Sequence, residues 1–273
     1  LRLPRLICSL LVGSALGMSG ALLQGMLKNG LASPYLLGIS AGSGLVIVFF
    51  ISFSLIQTFI PFAAWIGAIL TTLIVFVLSK EGNKIVVERL VLGGVAISSL
   101  FGAIQATLLL NAEDGRIQAA LNWLIGSLNA RGWQEIKFTA LPILIALFIG
   151  IFLYRQLNLL SLGDELSVSL GTSLFRSRCL IGAIATLLAA CAVSIGGLIG
   201  FIGLIVPHFS RLLIGNDFKY ILPFSALIGA LTLSSADLIS RLGPIEIPVG
   251  IVTALLGAPV FMFILYNRTN FKK

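Results

Sequence analysis

From Asn29 to Ser79 the chain carries no Asp, Glu, Lys or Arg. A bilayer core roughly 30 Å thick asks for about 20 apolar residues per helix, so this stretch holds two spans, with a natural break near Gln57 to Pro61. The same reading places one span between Arg5 and Lys28 and others at Leu90–Ala112, Phe138–Tyr154 and Cys179–Gly196. Gly197 to Ile214 is shorter, rich in glycine and carries Pro207 in its middle, the pattern of a short or broken span. Tyr220–Ser240 and Ile247–Tyr266 complete a set of nine. The expected fold class is all-α: a polytopic transmembrane bundle forming a single domain over residues 1–273.

Composition supports lipid as the solvent. Of 273 residues 58% are apolar and 10% charged, with a mean hydropathy of +1.09, more apolar surface than a water-soluble core can hide. No block remains for a soluble catalytic domain. The net charge of +8 does not point to nucleic acid, because the eighteen basic residues stand singly at the ends of hydrophobic runs. They report topology instead. If the first span runs inward, the inner loops hold Lys28, Lys80, Lys84, Arg89, Arg155, Arg176, Arg178, Arg211, Lys219, Arg268, Lys272 and Lys273. The outer side then holds Arg2, Arg5, Arg116, Arg131, Lys137 and Arg241, and twelve against six favours a cytoplasmic C-terminus.

Two connecting segments carry pattern. Glu113 to Lys137 places Ile117, Leu121, Leu124 and Leu128 at helical spacing, as in a helix lying on the protein or the interface. Arg155 to Arg178 alternates apolar and polar positions around two glycines and predicts two short helices folded against the membrane surface, a surface suited to a cytoplasmic partner. The pairs Gly13/Gly17, Gly38/Gly42 and Gly196/Gly200 have the spacing that lets helices approach closely. Cys8, Cys179 and Cys191 lack any zinc-ligand spacing and read as small hydrophobes.

Missing motifs narrow the chemistry. There is no GxxxxGK[ST] loop, so ATP energy must come from a partner. His208, the single histidine, reads as a packed or hydrogen-bonded side chain rather than a metal ligand. Ion-coupled carriers need ionisable groups in the membrane. Here Asp237 is the one acid well inside a hydrophobic run, with Arg241 four residues on along the same helix face as its local partner. The alternatives are an ion-coupled secondary transporter, which the lack of a carboxylate relay counts against, and a membrane assembly subunit without transport.

The stretches LRLPRLICSLLVGSALGMSGALLQGMLKNGLASPYLLGISAGSG, LNWLIGSL, LLSLGDELSVSLG, IGFIGLIVPHFSRLL and EIPVGIVTALLGAPVFM resemble the FecCD or BtuC-like permeases of binding-protein-dependent ABC importers for iron siderophores, haem and cobalamin. The resemblance runs from Leu1 to the C-terminus. It implies that the family's first transmembrane helix precedes Leu1, so nine visible spans stand for ten, with both ends cytoplasmic in a bacterial inner membrane. It also implies a second permease copy or paralogue, two cytoplasmic ATPase subunits that bind ATP and magnesium, and an external substrate-binding protein. This chain itself is expected to hold no cofactor or metal and to be a transport subunit rather than an enzyme.

Residue by residue, the resemblance assigns Arg2, Arg5 and Arg241 to docking of acidic residues on the binding protein, a role that suits exposed arginines. Headgroup anchoring is the alternative for Arg2 and Arg5, and the Asp237 pair for Arg241. LSLGDELSVSLG resembles the coupling loop that sits in a groove of the ATPase, giving Leu162, Gly163, Asp164, Glu165, Leu170 and Gly171 as contacts. Ser167, Val168 and Gly30 depart from the family's usual residues. Its pathway-lining helices correspond to the spans carrying Ser98, Ser99 and Gln105, and Pro248, Gly250, Thr253 and Gly257, for which helix packing is the competing account. A pathway with few charges fits a large chelate that must pass without being trapped. The implied mechanism is rocking of the permeases between inward and outward openings as ATP draws the ATPases together.

Overall fold

The computed structural model of the chain describes residues 2–53, 59–82 and 84–270. Among the described residues, six helices are long and apolar enough to cross a membrane: α1 (Arg2–Met26), α3 (Ile60–Ser79), α4 (Val87–Leu110), α6 (Trp133–Phe152), α9 (Leu174–Gly196) and α11 (Phe218–Ile239). Shorter apolar stretches fill the remaining expected spans: α2 (Ile39–Ser52), α10 (Ile202–Ile214) and the Val249–Ile264 part of α12 (Val249–Asn270). The chain is a multi-pass membrane protein. The expected break from Gln57 to Pro61 falls partly on residues 54–58, and Lys272 and Lys273 of the charge pattern fall at 271–273, outside the described residues. α10, at 13 residues, reaches about 20 Å, short of a full crossing. Its Pro207 stays inside the helix, where neighbouring helices can satisfy the freed carbonyl.

Burial ranks the helices. The buried share of the apolar window is 78% in α9 and 72% in α1, but 11% in α4. α1 is the central post, packed against α9, α10 and α11, while α9 joins this group to α2 and α3, on which α4 packs. Small residues make the central contact possible. A Cβ on Gly13 or Gly17 would run into the backbone of Gly229 or Ser225 on α11, and one on Gly229 would strike Gly13 in return. Gly42 faces Gly67 of α3 in the same way, but Gly38 caps a 3₁₀ turn, Pro34–Leu37, with φ +74°. Gly196 and Gly200 do not form a helix-approach pair: α9 ends at Gly196, and a Cβ on Gly200 would meet open space.

The outer faces of α3, α4 and α6 expose Leu70, Leu73, Leu92, Leu100, Phe138 and Phe148, a surface that only an apolar surrounding tolerates. Buried hydroxyls return to backbone carbonyls, as Ser19 does to Ala185 at 2.6 Å and Ser43 to Ala64 at 2.8 Å. Cys8 and Cys191 are buried and Cys179 half-buried, all three as free thiols.

Three connecting pieces complete the chain. α5 (Asp114–Ile125) buries Ala120 and Trp123, while Leu121 of the expected apolar stripe faces outward. α7 (Tyr154–Ser161) and α8 (Asp164–Ser169) are the two short helices expected between Arg155 and Arg178. Between α3 and α4 the otherwise helical chain makes a small antiparallel pair, β1 (Lys80–Glu81) with β2 (Lys84–Ile85).

Candidate functional sites at the two ends of the bundle

The 25 residues of α1 span about 37 Å and join two charge clusters. At its C-terminal end Lys28 donates to Oδ1 of Asp164 on α8 at 2.7 Å. Arg178, in the first turns of α9, donates through Nη2 to both oxygens of the same carboxylate, at 3.0 and 2.9 Å. Burial pushes the Asp164 carboxyl up, but the hydrogen bond from Lys28 and the charge of Arg178 outweigh it, and the net shift is below the ordinary carboxylate range. Asp164 thus serves an internal junction while its side chain stays 42% exposed. Leu162, Glu165 and Leu170 remain exposed beside Leu166 and Val168, making an apolar ridge around one acid. Gly163 and Gly171 allow the turns on either side of α8, with φ +115° and +83°.

α7 is fastened separately. Asn158 donates to Asp217 Oδ1 at 2.7 Å and accepts from the Phe218 amide at 3.1 Å. Asp217 also caps α11 by accepting from the Lys219 amide at 2.9 Å, and these bonds hold its exposed carboxyl below the ordinary range. A cavity of about 640 Å³ opens beside this end, walled by Gln24, Lys28, His208, Arg211 and Asn216. Gln24 accepts from Arg211 at 2.5 Å and donates to the Leu204 carbonyl at 3.0 Å, tying α1 to α10.

At the opposite end the expected local pair is part of a larger cluster. Asp237 is 1% exposed. It accepts from Arg241 Nη2 at 2.9 Å, one helical turn away, as the sequence suggested. Its other partner comes from α1: Arg5 donates through Nη2 to Oδ1 at 2.7 Å and through Nε to both oxygens at 3.0 and 3.1 Å. Arg5 also pairs with Glu246 in the segment leading to α12. Its side chain is 12% exposed, so Arg5 is committed to the fold and is not the exposed arginine expected for docking. Arg2 is exposed, and Arg241 is partly so. The sequence offered no signal for the Arg5 contact, which joins residues 232 apart.

The expected pathway residues divide. Ser99 is exposed on α4, Ser98 is half-buried beside Gly38, and Gln105 donates its amide to the Ala41 carbonyl of α2 at 2.9 Å. Pro248, just ahead of α12, is half-buried; on α12 the Gly250 amide donates to the Gly126 carbonyl at 3.0 Å and Thr253 donates to the Gly250 carbonyl at 3.0 Å. Gln105 and Gly250 are thus packing residues. Thr253 and Gly257 face a groove of about 420 Å³ with Phe201, Phe209, Ile228 and Leu231, and none of the α4 candidates reaches it. Phe201, in a left-handed conformation with φ +68°, packs its ring where a Cβ on Gly257 would fall.

The model of the FecCD transport family matches residues 1–267. The chain belongs to the FecCD transport family. This FecCD chain is 42% identical over 269 residues to the Fe(3+)-citrate import system permease protein YfmE of Bacillus subtilis, covering 97% of this chain and 80% of that one. It is 38% identical to the hemin transport system permease protein HmuU of Yersinia pestis, over 98% of this chain and 82% of the relative. It is also 38% identical to the cobalamin import system permease protein BtuC of Halobacterium salinarum, over 98% and 73%. A solved structure described as an inward-facing conformation of a metal-chelate type ABC transporter superposes with a TM-score of 0.93 at 33% identity, covering 98% of this chain and 86% of that one. PsaBC from Streptococcus pneumoniae, at 18% identity and a TM-score of 0.66, shares the fold. The FecCD chain is therefore the permease subunit of an ABC importer.

Proposed function

We propose that this permease carries a metal chelate of the ferric-siderophore, haem or cobalamin class into the cytoplasm across a bacterial inner membrane. The observation that carries the reading is the absence of fixed charge along α4 beyond Arg89 and along α12 up to Tyr266, in a chain whose relatives are named for ferric citrate, hemin and cobalamin. α4 leaves most of its surface unpartnered, which suits a pathway made between two permease copies, with Ser99 facing it. A smooth apolar wall lets a bulky complex slide, where a strong fixed contact would hold it.

In this reading the α7–α8 end is cytoplasmic, following the excess of cations there. The ridge of Leu162, Leu166, Val168 and Leu170 seats on a separate ATPase subunit, which binds ATP and magnesium, while this chain holds no cofactor. The opposite end receives a substrate-binding protein, with Arg2 and Arg241 as the accessible cations. ATP-driven closure of two ATPases moves the α7–α8 ends of two permeases and rocks the pathway from outward to inward opening.

Proteoliposomes holding the permease, its ATPase and its binding protein test this. Ferric-chelate, haem or cobalamin uptake that requires both ATP and the binding protein is the expected result. Uptake that runs on a proton or sodium gradient without ATP would refute the proposal.

A further inference from the structure

Arg178 does more than neutralise Asp164. Its side chain is 6% exposed, and its guanidinium is shared between two elements outside its own helix. Nη2 holds Asp164 of α8, while Nη1 donates to the Ile85 carbonyl on β2 at 2.8 Å. Ile85 is itself buried, Val86 caps α4, and the Val86 amide returns to the Ser79 carbonyl at the end of α3 at 3.0 Å. One planar cation therefore fastens α8 to the root of α4, a helix that is otherwise lightly packed.

We infer that Arg178 is the positioning residue that transmits displacement of the α7–α8 loop to the base of α4, so that movement at the ATPase-facing ridge reorients the pathway wall. The inference rests on the importer reading above and adds a route to it. Releasing Asp164 would leave the buried guanidinium unpaired, and releasing the Ile85 carbonyl would leave a buried donor unsatisfied, so α8, the start of α9 and β2 shift as one body. Lysine cannot replace it, because a single ammonium does not present the flat fork that meets a carboxylate and a carbonyl together. Lys28 pins Asp164 from the α1 side, which gives the moving body a fixed edge to turn against. The neighbouring Arg89–Glu81 pair, at 3.3 Å, is exposed on both sides and serves as a control that solvent screens.

The test uses the complete complex of permease, ATPase and binding protein in proteoliposomes, with chelate uptake and ATP hydrolysis measured on the same samples. In Arg178→Lys the ATPase still co-purifies and hydrolyses ATP, while chelate delivered per ATP falls at least about fivefold, the low end of coupling between distant sites. Asp164→Asn lowers the same ratio, and the double variant falls no further than the worse single one, since both break one link. Glu81→Gln leaves the ratio unchanged. An unaltered ratio in Arg178→Lys, or uptake and hydrolysis falling in proportion, would overturn the inference.

Should the variants not assemble, spin labels at Glu88→Cys and Ser169→Cys, in a chain carrying Cys179→Ser to remove the half-buried native thiol and diluted with unlabelled copies, read the link with Arg178 and Asp164 intact. Their separation stays constant between nucleotide-free and ATP-bound complexes while each moves relative to α6; a change in that separation would equally overturn it. A wild-type complex without ATP-driven uptake removes the importer reading and this inference together, whereas the other failures remove this inference alone.

Discussion

Removing the Asp237 carboxylate should cost this protein far more than removing an ordinary surface acid. Asp237→Ala leaves Arg241 to solvent but strands Arg5, which loses three of its hydrogen-bond contacts and keeps Glu246. Breaking a buried pair on one side costs about 3–5 kcal/mol. The surviving Glu246 partner and the partial exposure of Arg5 bring the expectation down to about 2–3 kcal/mol, which for a chain of this size lowers Tm by at least about 4 °C. Adding Arg5→Gln should restore part of the loss, because the buried cation that lost its carboxylate is gone and Glu246, whose side chain is 33% exposed, turns to solvent. Thermal unfolding in detergent, followed by fluorescence of the native tryptophans, gives all four corners of the cycle. A loss below about 0.5 kcal/mol in Asp237→Ala, the value of an exposed pair, or strict additivity in the double variant, would refute the reasoning.

Arg2→Glu should weaken binding-protein capture severalfold without moving Tm, whereas Arg5→Glu should lower Tm itself; a pull-down paired with a melting curve separates the two. Leu166→Glu places a charge on the exposed ridge of α8 and should abolish ATPase co-purification while the permease elutes as a folded species on size exclusion. The Asp164 carboxyl has its pKa depressed in the folded state, so the attachment it makes is present above the ordinary carboxylate value and is lost as pH falls through the lower, folded one. The protection of α8 amides, measured as exchange relative to the intrinsic rate at each pH, should therefore be the same at pH 7 and pH 5 and fall only below about pH 4, and in Asp164→Asn it should be low throughout.

The spans were legible because in lipid the absence of charge is nearly a sufficient condition for a crossing helix, as at Leu90–Ala112 against the observed Val87–Leu110. The two short helices were legible because Gly163 punctuates them, and the α1 interface because Gly13 and Gly17 leave room for another backbone. Patterning failed where apolar character no longer distinguishes inside from outside. The stripe from Ile117 to Leu128, which suits a helix lying on the protein or the interface, divides: Leu128 is buried and Leu121 faces out, while Trp123, outside the stripe, packs, since an outward leucine carries little penalty beside lipid. Arg5 reads as a docking or headgroup cation and Arg178 as a marker of orientation, because Asp237 lies 232 residues from the one and the Ile85 carbonyl 93 from the other, and no periodicity reports such contacts. Gly196 and Gly200 matched a spacing rule that applies only along one continuous helix, and the helix stops between them.

The central position of α1 sets an order of events during biosynthesis. Its glycine face, Ser19 and Gln24 find their partners on α9, α10 and α11, and Arg5 waits for an acid 232 residues downstream. At about 5–20 residues per second, the ribosome needs on the order of ten to fifty seconds to deliver that acid. For that interval the post around which the bundle is built stands without its neighbours, so premature termination before Asp237 leaves an orphaned cation and bare hydroxyls that membrane quality control can recognise.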